Sequence, residues 1–240
     1  MGRRLGVLLL MLLLRWPVHA DDGVVRFVAP ENLSMPLAGF ENGKLSEGVI
    51  KDLGEAIADR MGRRAVFIAI PSKRAQPFLA SGEGDGLCYI SKLWAVGSFN
   101  WTAPMIPDAT VLVARADAPV VKDFKELADQ PVAITLGYHY AVVEQALGSR
   151  LMRDEAPSVD LDLEKLAKGR VRYALVNKLA YEYEMRTHSD WKLRADKVFD
   201  PISASCAFSL KSPLDFQEVD KAVAALIAEG RVAAILEKYR

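Results

Sequence analysis

The chain is patterned as a long alternation of short apolar runs with segments of helical period. Val24–Ala29, Ala65–Ile70, Leu87–Ile90, Pro131–Leu136 and Arg172–Val176 are runs of four to six mostly apolar residues. Runs this short, bounded by Gly, Pro or polar turns, read as strands buried on both faces. Between them lie helical stretches. Val49, Leu53, Ile57 and Met61 recur every fourth residue over Ser46–Met61, with Ser46 as the expected cap and Gly62 as the stop. Shorter helices are expected over Arg74–Ala80, Lys122–Asp129, from Gly137 to about Leu147, over Leu161–Lys168 and over Lys178–Thr187. Phe216–Arg240 reads as helix interrupted at Gly230. Thr110–Ala114 reads as extended, Leu193–Val198 as a weak strand and Cys206–Leu210 as a further strand, while Pro30–Gly43 reads as a loop rich in Pro, Asn and Gly. Strand followed by helix, repeated, predicts an α/β fold with mostly parallel sheets.

The pattern also carries an internal echo. PFLASGEGDGLCYI and EKLAKGRVRYALVN each run from a helix through Leu-Ala-x-Gly and a turn into a buried strand. Two lobes of similar design are expected, with ligands bound outside the carboxyl ends of their strands across a cleft. A length of 240 residues, about half of them hydrophobic, suffices for one large domain or two such lobes.

The first twenty residues stand apart. Arg3 and Arg4 precede an apolar run, Leu5–Leu14, and Val18-His19-Ala20 has the small-x-small form of a cleavage site. The run is shorter than the ~20 apolar residues that span a bilayer. A secretory signal peptide over residues 1–20, cut after Ala20, is expected. No cysteine follows the run to carry a lipid anchor, so the expected location is the periplasm. Loss of Arg3, Arg4 and Arg15 lowers the 31 basic residues to 28 against 31 acidic ones, a net charge of −3. No basic stripe marks a nucleic-acid partner. Two cysteines, Cys88 and Cys206, in an exported chain read as a disulfide, the alternative being two buried thiols. No metal-ligand spacing, cofactor motif or Ser-His-Asp set is found.

Several motifs, in order, carry a resemblance. Pro36 follows the first strand, Gly43-Lys44-Leu45 leads to Gly48-Val49 and Asp52-Leu53, and Leu79-x-Ser81-Gly82 leads to Asp85. Trp101-Thr102-x-Pro104, Phe124-x-x-Leu127 and Leu166-x-x-Gly169-Arg170 follow. In this order the chain resembles the periplasmic solute-binding proteins of the polar amino acid type, extracellular solute-binding family 3, over nearly all of its mature length. The resemblance implies a type II periplasmic-binding-protein fold: two α/β lobes joined by two crossing strands near Val111–Arg115 and Ala204–Leu210. Lobe 1 would comprise residues 21–113 and 206–240, and lobe 2 residues 114–205. It also implies that the returning strand lies beside the third strand of lobe 1, which sets Cys206 next to Cys88. The implied function is a monomeric binding protein that closes on a small molecule and delivers it to the permease of an ABC-type transporter, without cofactor or metal.

The family's amino-acid clamp is an arginine in the loop after the third strand and an aspartate early in a late helix of lobe 2. This sequence departs at both places. The loop SKLWAVGSFN has Lys92 as its only cation, and the aspartate position is Asn177. A zwitterion entering a closed cleft needs both charges, so a standard α-amino acid held in the usual way is not expected. A small polar or aromatic metabolite is. The cleft lining expected by position is Glu31 and Ser34 from the loop after the first strand, Ser72 and Arg74 from the next helix start, and Tyr89, Lys92 and Trp94 around the third strand. Tyr138, His139 and Tyr140 at the lobe 2 turn and Asn177 complete it. A ligand sensor serving a membrane receptor is an alternative. A cyclohexadienyl-dehydratase-like enzyme is a further one, with Glu31 and His139 as acid–base candidates, although no catalytic residues are assigned and none are expected.

Overall fold

A computed structural model describes residues 23–240; the expected signal peptide, with its cleavage point, lies outside the described residues. In chain order the elements are β1 (Val24–Pro30), β2 (Gly39–Glu41), β3 (Lys44–Glu47), α1 (Val49–Arg60), β4 (Arg64–Ile70), α2 (Ser72–Ser81), β5 (Gly86–Ile90) and β6 (Asn100–Trp101). They continue with β7 (Ile106–Arg115), β8 (Pro131–Thr135), α3 (Ala141–Leu147), β9 (Met152–Ala156), α4 (Val159–Ala167), β10 (Tyr173–Asn177), α5 (Lys178–Thr187), β11 (Leu193–Phe208), α6 (Phe216–Ala228) and α7 (Arg231–Lys238).

The apolar runs form strands because both faces find a core. In β7, Val111 and Val113 join Leu163, Leu166 and Val176 on one face, while Leu112 and Ala114 join Val132, Ile134 and Leu147 on the other. The same alternation splits Phe27 and Val28 of β1 between two clusters. The strand order is β4-β1-β5-β11-β7-β10-β8-β9, with β6 also on β11. β1 runs parallel to β4 and β5, and β8 parallel to β9 and β10. Within this sheet the antiparallel pairs are those of the crossing strands: β7 with β10, and β11 with β5, β6 and β7; β2 and β3 form a separate antiparallel hairpin. This is the two-lobed architecture: two mostly parallel α/β halves joined by β7 and β11.

β11 is one continuous strand of 16 residues. The two expected strands, Leu193–Val198 and Cys206–Leu210, are joined into one through a register shift between Phe199 and Ile202. Ala65–Ile70 lies on the sheet edge in β4 and is mostly half-buried, not enclosed on both faces. The expected helix over Lys122–Asp129 is a four-residue 3-10 turn, Phe124–Leu127, closed by a capping box between Asp123 and Glu126. Ser46 is not the cap of α1: it sits in β3 and its Oγ donates to Gly39 O. The cap is Gly48, whose φ of 113° and close approach to Leu37 O (2.6 Å from where a Cβ would stand) exclude a side chain. The β2–β3 hairpin and β9 were not expected.

Cys88 and Cys206 face each other across β5 and β11 and form a disulfide. Asp85, buried in the turn before β5, accepts from the Arg26 backbone N–H (2.8 Å) and from Ser212 Oγ (2.7 Å), so it fastens β1 and the turn after β11 to the same point.

Candidate functional site

The parallel strands of the two halves run in opposite senses, so their carboxyl ends face each other along the crossing strands β7 and β11. The carboxyl ends of β1, β4, β5, β8 and β10 carry, respectively, Glu31 and Ser34, Ser72, Tyr89, Tyr138 and Asn177 at or just beyond them. Ligands of open α/β sheets bind outside these ends.

The best-defined group here is centred on Asp108 of β7. Tyr89 donates its hydroxyl to Asp108 Oδ2 at 2.6 Å, and Asn177 donates Nδ2 to the same oxygen at 3.3 Å. The backbone N–H groups of Ala109 (2.8 Å) and Leu179 (3.1 Å), the latter from the first turn of α5, donate to Oδ1. One carboxylate therefore binds a strand end of the first half, its own crossing strand, and a strand end and helix start of the second half. Burial holds the Asp108 carboxyl above its ordinary range, opposed by these hydrogen bonds. Burial pushes the Tyr89 hydroxyl well up, and the Asp108 charge adds to it.

Tyr89 reaches Asp108 through a backbone irregularity. Cys88 pairs with Cys206 and Ile90 with Ser205, so Tyr89 is the extra residue of a β-bulge, and its φ is 59°. An aromatic residue in the left-handed region is a costly conformation that a bulge uses to re-aim a side chain. The Tyr89 ring lies 6.1 Å from that of Trp94, which is 43% exposed.

Asn177 keeps an unused acceptor. Its Nδ2 must face Asp108, so Oδ1 points the other way, and that atom is buried without a hydrogen-bond partner. Ser34 Oγ, in the turn after β1, is buried and unpartnered as well.

On the second half, Tyr138 and Tyr140 are ring neighbours, with centroids 6.4 Å apart. Tyr140 is 6% exposed, packs in the core with Val143 and Leu175, and donates its hydroxyl to Leu175 O at 2.8 Å. Tyr138 is half-buried; burial raises its hydroxyl, followed by the charges of Asp108 and Asp162. Arg153 fixes this turn, donating to Tyr138 O (2.6 Å) and Glu144 Oε1 (3.1 Å). His139 is exposed, with Nδ1 3.2 Å from the same Glu144 oxygen.

The remaining expected residues lie outside this group. Glu31 and Arg74 are exposed. Ser72 Oγ accepts from the Asn32 N–H at 3.3 Å, a loop-fixing bond. Lys92 is exposed, and its Nζ sits 5.8 Å from the Trp101 ring centroid. The structure thus gathers Tyr89 and Asn177 around one carboxylate, with Trp94 beside the Tyr89 ring and Tyr138 within its electrostatic reach.

Asp108 itself was missed. Its signal was present: a single acid after Pro107 in an otherwise apolar stretch, just ahead of the segment read as extended. Asp162 was missed too. Val159, Asp162, Leu163 and Leu166 share the inner stripe of α4, so an acid stands at a core position. Asp162 Oδ2 accepts from Thr135 Oγ1 at 2.7 Å, and Oδ1 is buried and unpartnered. Burial pushes its carboxyl up to about 7, against the Thr135 bond and the charge of Lys165.

Among the described residues no group of three or more His, Cys, Asp or Glu is placed to hold a metal.

This geometry belongs to the type II periplasmic-binding-protein fold, and solved structures bear that out. An ancestral arginine-binding protein bound to glutamine superimposes with a TM-score of 0.76 at 18% identity, covering 90% of this chain and 97% of that one. A histidine kinase sensor domain with similarity to periplasmic binding proteins gives 0.75 at 22% identity, over 90% and 95%. The arginine-, lysine-, histidine-binding protein ArtJ from Geobacillus stearothermophilus gives 0.73 at 18%, over 90% and 94%. At these identities the likeness is one of fold. No family model matches the sequence, and no curated protein matches it.

Proposed function

We propose that this chain is an extracytoplasmic binding protein whose two lobes close on a small polar or aromatic metabolite and present it to the permease of an ABC-type transporter. The observation that carries the reading is the Asp108 group, where a strand end of each lobe and a crossing strand converge on one buried carboxylate. Closure about crossing strands is the usual motion of this architecture. The pairing of Thr110–Ala114 with β10 favours a division of the lobes near Asp108, a few residues before the boundary at Val113. No described helix is long and apolar enough to cross a membrane, which suits a protein released after export by its amino-terminal signal.

An ordinary α-amino acid held by the family clamp is disfavoured. Lys92 turns to Trp101, Arg74 is exposed, and Asn177 brings no charge. A sensory role is the second reading, favoured by the likeness to a kinase sensor domain.

Thermal-shift measurement against a metabolite panel tests the binding reading. A stabilising ligand other than a standard amino acid is expected; tight binding of ordinary amino acids would overturn the specificity claim. Loss of uptake of that ligand in a strain lacking the protein would mark transport, and loss of a transcriptional response alone would mark sensing.

A further inference from the structure

Among the described residues, none supplies a counter-charge to the buried acid at this site. Asp108 is 8% exposed. The four donors that reach it, a phenol, a side-chain amide and two backbone N–H groups, are all neutral. Among the described residues no Lys, Arg or His forms an ion pair with it, and the influences on its carboxyl are burial and these neutral donors. Its ionised form is the one the surroundings fit. The backbone N–H groups of Ala109 and Leu179 cannot turn into acceptors, and four donors fill the acceptor positions of a carboxylate. A buried anion held by neutral dipoles alone remains costly and is relieved by a cation brought close to it.

The groups around Asp108 match a cation. Tyr89 and Trp94 offer adjacent aromatic faces, and the Tyr138 hydroxyl feels the Asp108 charge from the other lobe. Aromatic faces attract ammonium groups, more strongly where water is excluded. Asn177 Oδ1 is an acceptor on a residue 8% exposed, unpartnered, and forced away from Asp108 by the bond its Nδ2 makes. That atom calls for a donor, and leaving it unsatisfied on ligand binding would be unfavourable. The usual guanidinium is missing: the loop after β5 lacks arginine, Lys92 lies over Trp101, and Arg74, at the start of α2, is exposed.

We infer that the ligand is an organic amine without a carboxylate. Its protonated N–H donates to Asn177 Oδ1, its charge answers that of Asp108, and its carbon body lies against Tyr89 and Trp94. This rests on the cleft being the ligand site, as proposed above, and narrows the ligand to one charge class.

Calorimetric titration of the wild-type protein at pH 7 tests it with ligands that differ only in the headgroup. The aromatic series is phenethylamine, phenethyltrimethylammonium, phenethyl alcohol, 3-phenylpropionate and phenylalanine; butylamine, butyltrimethylammonium, butanol, pentanoate and norvaline repeat it on an aliphatic body. In at least one series the amine is expected to bind at least tenfold tighter than the alcohol. The trimethylammonium ion, which has no N–H for Asn177, should fall between them, and the carboxylate and amino acid should not bind. Asn177→Leu should weaken the amine at least tenfold, and by more than it weakens the trimethylammonium ion. An alcohol, carboxylate or amino acid that binds as tightly as its amine would overturn the inference. So would silence of both series alongside an anionic or neutral hit from the wider metabolite panel, which would leave the binding-protein reading intact. Silence of both the series and the panel would remove that reading as well.

Discussion

Asp108 and Asp162 are both buried acids, and their partners make them behave differently. Asp108 collects four donors; Asp162 has one, from Thr135. Asp162 therefore favours its proton, with a folded pKa of about 7 against an ordinary value near 4. The sign follows: the folded state holds the proton more tightly than the unfolded one, so stability is lost as pH rises from about 4 to about 7 and stays low above. Asp162→Asn removes this loss. Its advantage over wild type should be near zero at pH 4 and grow to on the order of 2–4 kcal/mol by pH 8, measured by denaturant unfolding at both pH values. At Asp108, also raised by burial, the test is of a hydrogen-bond donor. Tyr89→Phe deletes one of its donors and should cost about 1–2 kcal/mol, read from the same unfolding curves at pH 7. The departure at Asn177 was legible in the sequence because it replaces a charge where the resembling family carries one. The role of Asp108 was not, because its meaning comes from three other segments that meet only in the fold.

Elements were legible where their pattern was self-contained. β1, β5, β8 and β10 are apolar runs whose two faces each find a core, and α1 shows its four-residue period. β9 carries Arg153, Asp154 and Glu155 in sequence and is a strand only because β8 offers it an edge. The β2–β3 hairpin hid in a stretch whose Pro, Asn and Gly content signals a loop. β11 looked like two strands because its second function, crossing between the lobes, requires an irregular middle. Its early part is held by Arg194, which donates to Arg115 O (2.9 Å), Ala116 O (2.8 Å) and Ala118 O (2.8 Å). Two residues on, Asp196 accepts from the Val121 N–H at 2.9 Å. Together they fasten the turn that follows β7. One ammonium cannot span three carbonyls, so Arg194→Lys should cost about 1–3 kcal/mol. Hydrogen exchange should quicken over residues 116–121 and not in β1 or β5.

At the scale of the molecule, β7, β11, the Asp108 group and a contact at Tyr239 tie the two halves together. There, Arg186 of α5 donates to Tyr239 O, while the Tyr239 hydroxyl meets Asp52 (3.1 Å) and the Gly48 N–H (3.1 Å). The Cys88–Cys206 disulfide adds a covalent tie between β5 and β11, with 118 residues of sequence separation. Closing a loop of that length limits the unfolded chain, and its loss should cost about 2–5 kcal/mol. Replacing both cysteines by alanine should lower the melting temperature under non-reducing conditions, and adding reductant to the variant should lower it no further. The two-lobed plan was readable from alternation and echo alone, whereas the meeting of these ties depended on which strand returns beside which.

The same bond has a topological consequence. From Cys88 to Cys206 the chain becomes a closed ring, and that ring contains all of β8, β9 and β10 with their three helices. These elements of the second half are thus part of a covalent ring whose clasp joins β5 and β11. A single cut anywhere in that loop would leave one molecule and not two.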